Sequence, residues 1–104
     1  LRSAQSWFYE TTDTAWAEIV AGRDLSRKTN MEIRLSASHA ARTGAEVARA
    51  CFEMTGTMGI FNQNPLSRYM TDSMVTAQHA FLGEGTFMHA GQVMVGQPPV
   101  PGYG

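Results

Sequence analysis

"NPLSRYMTDSMVTAQH", residues 64–79, decides how this chain folds. It opens on Asn64 and Pro65, an N-cap residue followed by a proline suited to a first helical turn. Leu66, Met70, Ser73, Met74 and Ala77 then recur at three- and four-residue intervals. At about 100° of rotation per residue these five, with Phe81, share one side, the side that packs into a helical domain. Arg68, Asp72, Val75 and His79 fall on the other, within about 60° of one another. The spacing predicts a helix from Pro65 to about Leu82 with its polar line turned away from the domain's own core. That line has two readings. It is a solvated face on which Arg68 and Asp72 pair at i,i+4 for about 0.2–0.5 kcal/mol, or it lies against another domain or subunit, with His79 as a general base or hydrogen-bond donor near neutral pH.

Upstream, residues 1–21 carry Ala4, Trp7, Phe8, Thr11, Ala15, Ile19 and Val20 at helical spacing, and Gly22 follows as a C-terminal stop. Asp24 and Ser26 are candidate N-caps for a second helix over about 26–54, marked by Ile33, Ala37, Ala40, Ala41, Gly44, Val47, Ala48, Cys51 and Met54. At 1.5 Å per residue it would be roughly 40 Å long, and its small residues would admit a close neighbour. Downstream, "GEG" at 83–85 interrupts the third helix and "TFMHAGQVMV" offers a short fourth. The segment 97–104, "QPPVPGYG", is too rich in proline and glycine for regular structure. No alternation suggests a strand. The expected fold is all-α, an antiparallel four-helix bundle spanning residues 1–104 as a single domain with an irregular tail at 97–104.

The 104 residues hold eight Lys and Arg against nine Asp and Glu, a net charge of −1 with no basic stripe. Nucleic acid and anionic membranes are therefore not expected partners. No apolar run approaches the roughly 20 residues of a spanning helix, and a single cysteine fits a reduced compartment, so the expected location is cytoplasmic. The chain starts on Leu1 directly in a helical pattern, which suggests a piece of a longer polypeptide.

Residues 55–96, "TGTMGIFNQNPLSRYMTDSMVTAQHAFLGEGTFMHAGQVMVG", resemble the C-terminal helical domain of the acyl-CoA dehydrogenase superfamily. The features that match are the glycine-containing loop (Gly56, Gly59), the Pro65–Leu66 pair, Arg68 three residues after the proline, and Asp72 four residues later. Thr71 stands where the family has a second arginine. Gln78–His79 resembles the branch of flavin-dependent monooxygenases that use reduced flavin and O2, although Met74 stands where many of that branch carry another histidine. The resemblance implies a flavin cofactor (FAD or FMN), His79 as the catalytic residue, and Gly56, Thr57, Gly59 and Gln78 as cofactor-binding residues. It further implies N-terminal and middle domains in the same parent chain, a homotetramer in which the 55–61 loop approaches a neighbour's flavin, a separate flavin reductase and a small-molecule substrate. The chain would supply one wall of the site and would not be active alone.

Two other functions compete. The dehydrogenases place a catalytic glutamate near the start of the last helix, and "GEGT" at 83–86 echoes that stretch, so Glu84 could be the base of an acyl-thioester dehydrogenase. By count from Asp72, however, Glu84 comes four residues late, whereas His79 falls beside the glutamate's place. The third possibility is a non-catalytic interaction module whose Arg68, Asp72 and His79 line binds a partner. The glycines of the loop have a plainer reading as well, a turn between antiparallel helices. His39 and His89 are expected to be packed or edge residues, Cys51 and most methionines core, and Trp7 and Trp16, nine residues apart, to lie on different faces. Three dispersed histidines and one cysteine give no metal-ligand spacing, and no metal is expected.

Overall fold

The computed structural model describes residues 1–98, 100 and 101. Its elements are α1 (Arg2–Val20), α2 (Arg27–Met54), a 3-10 helix (Gly56–Ile60), α3 (Leu66–Ala77) and α4 (Glu84–Met94). The fold is an all-α four-helix bundle built on α2, with α1, α3 and α4 each laid against that longest helix. It is elongated, 52 × 27 × 18 Å. Among the described residues no helix is long and apolar enough to cross a membrane. The irregular tail expected over 97–104 falls partly on Pro99 and residues 102–104, which lie outside the described residues.

Local chemistry sets the boundaries. Past Val20, Gly22 adopts φ +78°, its N–H bonds to Ile19 C=O and that of Arg23 to Glu18 C=O, so the orphan carbonyls of α1 are satisfied in a Schellman turn. Ser26 caps α2 by accepting the Thr29 N–H at 3.1 Å. The Glu18 carboxylate ties the two ends together, accepting the Ser26 N–H at 2.9 Å and the Thr29 hydroxyl at 2.6 Å. These bonds, with Arg23 nearby, hold its pKa below the ordinary value, the Thr29 bond contributing most. At α3, Pro65 already has helical dihedrals and the Asn64 carboxamide oxygen accepts the Leu66 N–H at 3.0 Å.

α1 runs antiparallel to the first half of α2. The pairs Glu18–Thr29, Thr11–Ser36 and Trp7–His39 set the register. Its seam is polar as well as apolar. The Thr11 and Ser36 hydroxyls lie 2.9 Å apart, both buried, with Phe8 C=O and Ile33 C=O as further acceptors. Ala4 and Ala15 complete the buried part of α1, small residues that let the helices approach.

Several expectations need correcting. Helix α3 stops at Ala77, about a turn before Leu82, because the N–H groups of Gln78 and His79 bond three residues back and the Phe81 main chain is captured elsewhere. His79 therefore sits in a turn after the helix. Arg68 does not pair with Asp72 among the described residues; its guanidinium lies 5.9 Å from the Tyr69 ring centroid. On the inward side Leu66, Met70, Ser73 and Ala77 are half-buried, while Met74 (48 %) and Phe81 (51 %) remain exposed. Cys51 is exposed, not core, since the antiparallel register exhausts α1 before it reaches that part of α2. Met54, Met58, Met74, Met88 and Met94 are exposed for the same general reason: three helices around one spine leave outer faces uncovered. Helix α4 begins at Glu84, two residues earlier than "TFMHAGQVMV".

Candidate functional site

A groove of about 540 Å³ opens where the end of α3, residues 78–85 and the second half of α2 meet. Its walls come from α2 between Arg42 and Arg49, from Met74 and Ala77 of α3, from the turn that follows except Phe81, and from the start of α4. Both Gln78 and His79 line it. So does Glu84, the residue of the dehydrogenase alternative, at the first position of α4.

The turn is shaped by hydrogen bonds to main-chain groups. His79 C=O accepts the Leu82 N–H at 2.9 Å, and the His79 Nδ1 accepts the Phe81 N–H at 3.2 Å. The Phe81 C=O accepts two hydroxyls, Ser38 Oγ at 3.1 Å and Thr86 Oγ1 at 3.0 Å. The His79 and Phe81 rings stack at 5.6 Å, and the Arg34 guanidinium lies 5.2 Å from the Phe81 centroid.

Charge in the groove is largely balanced. Arg42 pairs with Glu84 across from α2 to α4 and also lies 4.9 Å from the Phe87 centroid, while Arg49 pairs with Glu53 one turn on at 3.0 Å. The tie leaves the Glu84 carboxylate engaged by a guanidinium. Exposed His79 carries no such tie to a charged group among the described residues, and its ring is available to a ligand.

The remaining candidates lie elsewhere. Gly56, Thr57 and Gly59 belong to the 3-10 helix at the opposite end of α3, a 12-residue helix about 18 Å long. The structure thus brings Gln78 and His79 together and leaves the loop glycines apart from them. Gly56 takes φ +57°, the left-handed conformation that ends α2. Gly59 is buried, and a Cβ on it would meet Thr55 Oγ1 at 2.3 Å and the Phe52 ring at 2.9 Å. Both glycines are needed to turn the chain between α2 and α3. His39 packs against Trp7 at 5.8 Å and His89 is half-buried on α4.

Sequence reasoning missed Ser38, Arg42 and Thr86. Each acts on a group more than four residues away, Ser38 and Arg42 across more than forty, and local periodicity carries no trace of such pairings. Ser38 did carry a weak signal: a small polar residue in an alanine-rich buried stretch needs a partner.

Comparison with known proteins follows the same line. The family model described as the acyl-CoA dehydrogenase C-terminal domain matches residues 1–84. An indole-3-acetate monooxygenase from Pseudomonas putida is 44% identical over 103 residues, covering 99% of this chain and 26% of the relative. Another, from Acinetobacter baumannii, is 43% identical over 102 residues, covering 98% of this chain and 26% of the relative. The chain spans about a quarter of the length of these curated relatives.

Proposed function

Because the chain belongs to the acyl-CoA dehydrogenase C-terminal domain family, we propose that it serves as the C-terminal domain of a flavin-dependent monooxygenase using reduced flavin and O2. The observation that carries this reading is the 44% identity, running the length of the chain, to an indole-3-acetate monooxygenase. The substrate class we infer from that relative is an aromatic acid of indole-3-acetate type. The dehydrogenase alternative would use Glu84, whose carboxylate is engaged by Arg42.

The groove suits one wall of a flavin and substrate site. Its volume lies within the range of about 300–1,000 Å³ typical of ligand pockets. It sets apolar Met74, Ala77 and Leu82 beside the polar Gln78, Arg49 and His79, a mixture that matches a flat ring system with a polar edge. Bound flavin would supply the activation of O2, chemistry that no side chain here provides. Gln78 would hold the polar edge of the cofactor. His79 would touch the substrate or the reacting oxygen, taking a proton or hydrogen-bonding to it. Gly56 and Thr57, exposed at the other end of α3, would meet a neighbouring subunit's cofactor, and Gly59 would let that loop lie flat on Phe52.

The other walls would come from N-terminal and middle domains of a longer chain and from further subunits of a homotetramer, with a separate reductase delivering reduced flavin. Exposed apolar side chains such as Trp16, Ile19 and Val20 on α1, and Met88 and Met94 on α4, are the surface those neighbours would cover.

The test is isotopic. The full-length polypeptide, given reduced flavin, indole-3-acetate and labelled dioxygen, is expected to place one labelled oxygen atom in the product, read by mass spectrometry. Product without label, together with anaerobic bleaching of bound oxidised flavin by an acyl-CoA, would favour the dehydrogenase reading instead. His79→Ala should lower oxygenation about 100-fold or more with the helical circular dichroism unchanged.

A further inference from the structure

The two polar atoms of the His79 ring have different surroundings. Nδ1 accepts the Phe81 N–H at 3.2 Å. A ring nitrogen that accepts a hydrogen bond presents a lone pair, so in the neutral imidazole the proton resides on Nε2. Nε2–H is then the remaining polar group of a ring that lines the groove.

What fixes this arrangement is the Phe81 main chain, held at both its polar atoms. Its N–H is committed to the imidazole; its C=O receives hydroxyls from Ser38, on α2, and Thr86, on α4. Both hydroxyl residues are enclosed, Ser38 at 0 % and Thr86 at 3 % exposure. A buried hydroxyl that has found a carbonyl gives it up only at the cost of an unsatisfied group. Two helices thus grip a single carbonyl, and the exposed turn inherits their rigidity. The stacked His79 and Phe81 rings add a second restraint on the imidazole plane.

We propose that Ser38 and Thr86 are positioning residues that, through the Phe81 main chain, hold the His79 imidazole as its Nε2–H tautomer, so that His79 gives the groove a hydrogen-bond donor and not a proton acceptor. This rests on the reading of the groove as the oxygenase site and decides between the two roles left open for His79 there. A neutral ring with Nδ1 engaged has no lone pair at Nε2 to take a proton from a substrate. It can donate to a substrate carboxylate or to an oxygen that gains negative charge, and preformed donors of that kind act most strongly where water is excluded. The charged groups that line the groove with the ring are Arg42, Glu46 and Arg49 from α2 and Glu84 from α4, and Arg34 lies over the neighbouring Phe81 ring.

Nitrogen-15 NMR of the histidine rings in the labelled protein, at a pH where they are neutral, reads the tautomer directly. The His79 resonances are assigned by their loss in His79→Gln. The expected spectrum has Nε2 as the protonated nitrogen and Nδ1 as the bare one; the reverse assignment overturns the proposal. Thr86→Val and Ser38→Ala, singly and together, should move both nitrogens towards averaged shifts, and Thr86→Ser, which keeps the hydroxyl, should restore the wild-type pattern. An unchanged tautomer in either folded single variant and in the pair refutes the positioning role. In the full-length polypeptide His79→Gln keeps an N–H donor but offers no base. Its oxygenation should stay within about tenfold of wild type while His79→Ala falls about 100-fold or more, and a glutamine variant as inactive as the alanine one would restore the base. The NMR readout needs no turnover, so it stands or falls apart from the oxygenase reading.

Discussion

The two flanks of α2 are built differently. On the α1 side Thr11, Thr29 and Ser36 are buried with their hydroxyls paired, and Ala4 and Ala15 bring the backbones close. On the α3 side no residue of α3 itself is buried, and the ion pairs that frame the groove are open to solvent. Buried hydrogen-bonded pairs are costly to break, whereas exposed ion pairs contribute little. One flank therefore carries stability and the other carries access, which suits the proposed role as one wall of a shared site.

One position should break that contrast. Gly59→Ala, at the far end of the α3 flank, drives a Cβ to within 2.3 Å of Thr55 Oγ1 and 2.9 Å of the Phe52 ring. Overpacking of this kind costs about 1–3 kcal/mol, more than the gain of about 0.4–1 kcal/mol from a stiffer unfolded chain. Urea unfolding should show a net loss. Unchanged stability would mean that the loop shifts freely and has no tight contact at all.

Thr11→Val sharpens the contrast from the other flank. It removes one of two paired hydroxyls, while Ser36 still reaches Ile33 C=O. The expected loss is about 0.5–1.5 kcal/mol, read as a lower urea midpoint with the slope unchanged. A stabilised variant would show that the seam prefers apolar contact.

Glu18→Gln tests the same flank by pH. The folded-state pKa of Glu18 is lowered, chiefly by the Thr29 hydroxyl and then the Ser26 N–H. Its contribution is therefore present above the unfolded value of about 4.3 and lost as pH falls through the lower folded value. Wild type should exceed Glu18→Gln in thermal stability near neutral pH, with the gap closing in acid. A gap that persists below that window would assign the effect to something other than the carboxylate charge.

Arg42→Ala should have the smallest effect. The Arg42–Glu84 pair is exposed and the Phe87 contact is partial, so the loss should stay within about 1 kcal/mol. A cost of several kcal/mol would make the α3 flank as structural as the other and erase the distinction.

Much of the fold was legible because it was written locally. Gly22, Ser26, Asn64 and Pro65 are boundary residues whose chemistry acts within a few positions, and each stands at the boundary expected of it. The end of α3 was not legible. Its periodicity continues through Phe81, yet the Phe81 carbonyl belongs to Ser38 and Thr86, so a tertiary contact outweighs the local pattern. The same limit explains Cys51 and the methionines. An apolar stripe states which face seeks cover and cannot state whether this chain supplies it. At the site, Gln78 and His79 could be singled out from the sequence, but the groove around them depends on Arg42 and Glu84 meeting across two helices.

The staple formed by Glu18 with Ser26 and Thr29 bears on the order of folding. It closes the short link of residues 21–26, where bringing chain ends together costs least entropy. The α1–α2 hairpin is thus the natural nucleus, formed from neighbours in sequence. The His79–Phe81 turn, which waits on a hydroxyl 43 residues away, would be among the last pieces to settle.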